Sequence, residues 1–289
     1  MLLEAVPNFS EGQNFEVIRL LAEGERVLGK HSDPLHHRTV ITMVDGNAER
    51  LIADLLDKVA IAIENIDLRQ QRGLHPRVGS ADVLPIVPLG DTSMEVAIIT
   101  ARQLGERIWQ QLKTPVYYYG KLAGGRRLAD IRRRVVTPDL GDAPHLTAGV
   151  CCVTARPPLV AYNITFELPW EQIRQLARAM RQLPGVQALD FALDEQHTQL
   201  SMNLVKPFQF GAEQAYRQAT LLAGVKGVPE LVGLCPAAAA GPGCAEGLLE
   251  DRMLQLAAHL REREPKLRTE LLRTARQGYL YPAINLESD

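Results

Sequence analysis

PLVAYNITFELPWEQIRQLARAMRQLPGVQALDFALDEQHTQLSMNL, residues 158–204, changes its hydrophobic period twice, and those changes decide the fold. PLVAYNITF is rich in β-branched and aromatic residues and reads as a strand. WEQIRQLARAM follows with helical spacing, its apolar residues Ile173, Leu176, Ala177 and Met180 falling on one face. VQALDFAL and TQLSMNL then form a strand pair, with Leu200, Met202 and Leu204 alternating with polar residues. A helix near 212–222 and the short strand ELVGL complete a βαββαβ unit, the split ferredoxin-like arrangement.

The same order of elements precedes it. LLEAV, RTVITMV, VLPIV and VYYY read as strands. Between them lie two amphipathic helices, one with the stripe Leu51, Ile52, Leu55, Leu56, Val59 and Ile63, the other with Val96, Ile99, Leu104, Ile108 and Leu112. The expected fold is therefore α/β (α+β): two ferredoxin-like βαββαβ subdomains with a ligand cleft between them, plus C-terminal helices. The Pro-, Gly- and Thr-rich stretch TPDLGDAPHLTAGVCCVTARPP is expected to connect the halves. This divides the chain into 1–150, 151–243 and a helical extension at 244–289.

At 289 residues, 46% hydrophobic and with a formal net charge of -2, the composition exerts no global pull toward nucleic acid or membrane. No apolar run is long enough to span a bilayer. The four cysteines, Cys151, Cys152, Cys235 and Cys244, form neither a disulfide framework nor a zinc signature, so a cytoplasmic location is expected.

Three clusters carry candidate chemistry. In GLHPR, Pro76 restricts the backbone of His75, and a rigid imidazole beside Arg77 suits proton transfer near neutral pH. The tripeptide alone equally fits a turn without a role. HSDPLHHR gathers His31, Asp33, His36, His37 and Arg38; a metal-dependent hydrolase is one reading of it, a polar cleft rim another. KLAGGRRLADIRRR sets Lys121, Arg126, Arg127, Arg132, Arg133 and Arg134 against Asp130, as a solvated helix face or a site for carboxylates or phosphates.

Eight segments then occur in a telling order: EAVPNFSEGQN, DPLHHRTVITMVDG, RGLHPRVGSADVLPIVPL, TPVYYYGKLA, PDLGDAPHLTAGV, LVAYNI, TQLSMNL and ELVGLCP. Together, over about residues 3 to 240, they resemble the formiminotransferase family, the glutamate formimidoyltransferases found alone in bacteria and fused to a cyclodeaminase in animals. The resemblance implies a usually dimeric enzyme, so a homodimer is expected. It also implies transfer of a formimidoyl group from N-formimidoyl-L-glutamate to N5 of tetrahydrofolate, the co-substrate, without a metal. The family's HPR motif puts the catalytic histidine at His75. Its folate loop, after a PD-(F/L)-G motif, falls on Gly141, Asp142, Ala143, Pro144, His145, Leu146, Thr147, Ala148 and Gly149. Both reactants carry carboxylates, for which Arg77 and Arg38 are the candidate partners. The chain departs from the family at His37, where Asn is usual, and at Leu35, Leu74 and Gln71. These departures keep two alternatives: a non-catalytic folate-like ligand-binding homologue, and a one-carbon transferase with a different donor.

Overall fold

The computed structural model describes residues 1–133, 136–260 and 263–277, which form two compact units. The first comprises Met1–Pro157 with Leu256–Thr274, the second Pro158–Gln255.

In the first unit the elements are β1 (Leu2–Ala5), β2 (Asn8–Phe9), α1 (Phe15–Ala22), β3 (Val27–Asp33), β4 (Arg38–Asp45), α2 (Ala48–Asn65), β5 (Ala81–Leu89), α3 (Met94–Arg107), β6 (Val116–Tyr118), α4 (Leu128–Arg132) and β7 (Cys151–Ala155). Strands β1 and β2 share one lane between β4 and β5, interrupted at Pro7. With β3 outside β4, the lanes reproduce the ferredoxin-like order, extended beyond β5 by parallel β7 and β6. Leu3, Phe9, Ile41, Met43, Leu84 and Val153 join the inner faces of α1, α2 and α3 in one core. Arg38, out of step with Ile41 and Met43, emerges on the opposite face of the sheet, where it meets Asp82, which sits at the register shift between β2 and β5.

Two local readings are corrected. Cys151–Ala155 is not linker but a buried central strand, and the first unit therefore runs through Pro157. A parallel strand covered on both faces shows no alternation, so CCVTA carries no strand signal of its own. In α3 the buried face is Ala97, Thr100, Ala101, Leu104 and Gly105, whereas Ile99 is half exposed. Small residues bring this helix close to β5 and β7, while Leu104 and Ile108 of the expected stripe are buried and Val96 and Leu112 pack against the core, so Ile99 alone of that stripe lies outside. The α2 stripe follows the expected pattern, with Asn47 accepting from the backbone N–H of Arg50 at its start.

The second unit contains β8 (Val160–Phe166), α5 (Trp170–Met180), β9 (Val186–Ala192), β10 (Thr198–Leu204), α6 (Ala212–Ala223) and β11 (Val228–Val232). Its antiparallel sheet has the order β11-β8-β10-β9, the ferredoxin-like arrangement, with Leu200 opposite Ile164 and Met202 opposite Tyr162. Ile173, Leu176, Ala177 and Met180 cover it from α5, joined by Ala212, Ala215 and Ala219 from α6.

Helices α7 (Leu249–Leu260) and α8 (Pro265–Gln277) close the described chain. Glu264 ion-pairs with Arg26 and Arg50, and Arg273 with Asp91, which ties the later segment to the first unit. Among the described residues no helix is long and apolar enough to cross a membrane.

Candidate functional site

His75 lies in the irregular segment between α2 and β5, where Pro76 holds the chain out of the helical region. This segment is pinned against residues 35–38. Leu74 N–H donates to the Leu35 carbonyl (3.1 Å). Arg77 donates through Nη2 to the His36 carbonyl (2.8 Å), through Nη1 to the His37 carbonyl (3.3 Å), and through Nε to the His75 carbonyl (3.3 Å). Arg77 therefore spends its planar fork on main-chain oxygens and fixes the approach of two loops.

Arg38 begins β4 and reaches across to His75. Its Nη1 lies 3.1 Å from His75 Nδ1 and donates to Asp82 Oδ2 at 2.8 Å, while its Nε donates to Asn8 Oδ1 at 3.0 Å. Asp82, wholly buried in β5, is the hub. Its Oδ1 accepts from the backbone N–H groups of Val78 (2.7 Å) and Gly79 (3.3 Å). Its Oδ2 also faces Arg132 Nη2 at 3.5 Å. One carboxylate thus orders the end of the His75 segment and is shared by two guanidiniums.

Burial, the Arg38 and Arg132 guanidiniums and neighbouring His36 hold the His75 imidazole well below the usual histidine range. It is therefore neutral at pH 7. Burial lowers Arg38 as well, opposed by Asp82; a guanidinium starts so high that it stays charged. His75 Nδ1 is also 2.8 Å from the Pro76 carbonyl. An Nδ1–H donating to that carbonyl leaves the lone pair on Nε2, the tautomer that a base requires.

The segment Gly141–Gly149 docks directly on this assembly. Ser80 N–H donates to the Ala148 carbonyl (2.8 Å), and Val150 N–H to the Val78 carbonyl (3.1 Å), pairing Gly79 with Gly149 as an antiparallel bridge. His145 and Gly149 exchange both backbone bonds (2.8 and 2.9 Å), and His145 Nδ1 accepts from Ala148 N–H (3.1 Å). Asp142, Ala143, Pro144 and Leu146 are left exposed at the tip, Leu146 by 77%. Gly149 has φ 69, and a Cβ there would meet the Val78 carbonyl oxygen at 2.1 Å. Gly149→Ala is expected to destabilise the protein by at least about 1–2 kcal/mol from the left-handed backbone alone. Denaturant unfolding checks this; an unchanged midpoint would show that the bridge is dispensable.

The remaining candidates separate. Among the described residues no group of three or more His, Cys, Asp and Glu side chains is arranged to hold a metal ion. His37 Nδ1 instead accepts from Gly12 N–H (3.2 Å), and Glu11 Oε1 accepts from the N–H groups of Gly12, Gln13 and Asn14 at 2.8–2.9 Å. His37 has φ 52, the left-handed region that His enters, with Asn and Asp, more often than most residues do. In the basic stretch Arg126 pairs with Asp139, and Arg127 with Asp130; Arg132 turns toward Asp82, and Arg134 lies outside the described residues. All four cysteines are buried free thiols. Asp82, Asn8 and Glu11 were not singled out from sequence. The signal for Asp82 was a lone carboxylate inside an apolar strand.

Residues 2–156 match the family model described as the formiminotransferase domain, N-terminal subdomain. The chain is 34% identical over 268 residues to the glutamate formimidoyltransferase of Thermoplasma acidophilum, covering 81% of this chain and 88% of that protein. It is 33% identical over 270 residues to the glutamate formimidoyltransferase of Streptococcus pyogenes, covering 82% and 90%. To the formimidoyltransferase-cyclodeaminase of Rattus norvegicus it is 31% identical over 272 residues, which cover 50% of that longer protein.

Proposed function

Since the chain belongs to the formiminotransferase family, we propose that it transfers the formimidoyl group of N-formimidoyl-L-glutamate to N5 of tetrahydrofolate, with His75 as the proton-transfer group. The observation that carries this reading is the joining of the His75 segment to Gly141–Gly149 through main-chain bonds, so that a base and a candidate folate loop form one assembly.

In this reading neutral His75 removes the proton that the attacking amine loses as it bonds to the formimidoyl carbon. It then returns that proton to the glutamate nitrogen as the old carbon–nitrogen bond breaks. The lowered basicity of the ring serves the second half, because an imidazolium beside Arg38 gives up its proton readily. Arg38 sets the ring's charge state, and Arg77 keeps the segment in place. The exposed apolar Leu146 suits contact with the flat face of a pterin, and the backbone groups around Asp142–Pro144 suit its polar edge. Tetrahydrofolate enters as co-substrate. A homodimer and a cytoplasmic location belong to the same reading, carried by family likeness.

The testing experiment mixes the protein with N-formimidoyl-L-glutamate and tetrahydrofolate and follows the absorbance of the folate product. Turnover is expected. Folate binding without turnover on this or any related one-carbon donor would favour the non-catalytic homologue.

A further inference from the structure

Three arginines approach the His75 assembly with very different occupancy. Arg77 is engaged by three carbonyl oxygens. Arg38 is engaged by Asp82 and Asn8 and lies against the His75 ring. Arg132 has one weak contact, Nη2 to Asp82 at 3.5 Å, and its buried Nε has no hydrogen-bond partner among the described residues. A guanidinium carries five donors, and leaving one buried without an acceptor is costly. Charge points the same way: Arg38 and Arg132 share the single Asp82 carboxylate, so the pair retains a net positive charge. The arrangement is short of one anion, and the acceptor it lacks is an oxygen pair of carboxylate shape.

We propose that Arg132 binds the α-carboxylate of the formimidoyl donor. This rests on the transferase reading above. Arg132 meets the same Asp82 oxygen as Arg38, and Arg38 touches the His75 ring, so Arg132 is two side chains away from the base. The α-carboxylate is attached to the carbon bonded to the reacting nitrogen, whereas the γ-carboxylate lies two carbons further out. A fork that holds the former also orients the nitrogen that His75 must protonate. Arg132 stands at the end of α4, a short helix in the basic stretch. Its neighbours Arg126 and Arg127 are already satisfied by Asp139 and Asp130.

The test compares R132Q and R132K with the unaltered protein, using steady-state turnover and calorimetric titration of N-formimidoyl-L-glutamate. Asp82 keeps Arg38 and two backbone donors in R132Q, so the fold is expected to hold, and an unchanged thermal midpoint checks that. R132Q should raise the donor KM and weaken donor binding about 10- to 100-fold, with the KM for tetrahydrofolate within about two-fold. R132K should recover part of the loss. The same penalty should appear with the γ-amide donor N-formimidoyl-L-glutamine. A donor KM within two-fold of the parent overturns the proposal while turnover upholds the transferase reading. A penalty that vanishes with the γ-amide donor, or that falls on tetrahydrofolate instead, also overturns it. If the parent protein binds the donor through Arg132 but does not turn over, the transferase reading fails and the binding assignment stands. If it neither binds nor turns over, both fail.

Discussion

His75→Ala is expected to lower kcat about 10²–10⁴-fold while leaving tetrahydrofolate binding within a few-fold of the parent. The alanine variant removes a proton carrier from the reacting centre and leaves intact the main-chain bridge that joins its segment to Gly141–Gly149. The parent pH profile gives a second readout. Because the folded ring is held well below the usual histidine value, its neutral form persists as pH falls through about 6.5. The acid limb of kcat/KM should therefore lie below that pH and disappear in the variant. The same displacement has a stability counterpart with a definite sign. The unfolded chain binds this proton more readily, so below about pH 6.5 acidification favours unfolding. Full activity in His75→Ala would end the assignment of this residue as the base.

Asp82→Ala should have the largest effect on stability, about 3–5 kcal/mol, because it strands buried positive charge. Asp82 is fully buried, and the Arg38 side chain beside it is only 12% exposed. The alanine also removes the acceptor for the Val78 and Gly79 N–H groups, so the segment bearing His75 loses its anchor. Asp82→Asn separates the two roles. Its amide oxygen still accepts from Val78 and Gly79, but the negative charge is gone. Denaturant unfolding should rank parent, asparagine and alanine in that order. A loss under about 1 kcal/mol in the alanine variant would mean that water or another group neutralises the arginines.

The order of elements was legible in the sequence because each unit alternates between periods of two and 3.6 residues. Strand β7 was not, since its five buried residues carry no period and follow a turn-rich stretch. The α3 stripe is right at Val96, Leu104, Ile108 and Leu112 and wrong at Ile99. Ile99 outweighs Ala97 and Ala101 in hydrophobicity, but close packing against a sheet favours small side chains. His75 and the segment Gly141–Gly149 stand out through the family resemblance, since the HPR tripeptide alone fits a turn equally well. Asp82 was hidden because its meaning lies in partners 44 and 50 residues away, Arg38 and Arg132, which only the sheet and α4 bring together. The occupancy of each arginine was equally invisible, because nothing in a sequence says whether a guanidinium faces carbonyls or an empty position.

The bridge between Gly79 and Gly149 also bears on how the two loops are held in register. It joins two loops by peptide groups alone, with no side chain between them to act as a cushion. A Cβ at Gly79 would meet the Val150 carbonyl oxygen at 1.8 Å, and one at Gly149 the Val78 carbonyl oxygen at 2.1 Å, so neither loop can take a side chain at the bridge without shifting the other. The register of residues 142–146 against the His75 segment is therefore written into two positions that admit only glycine.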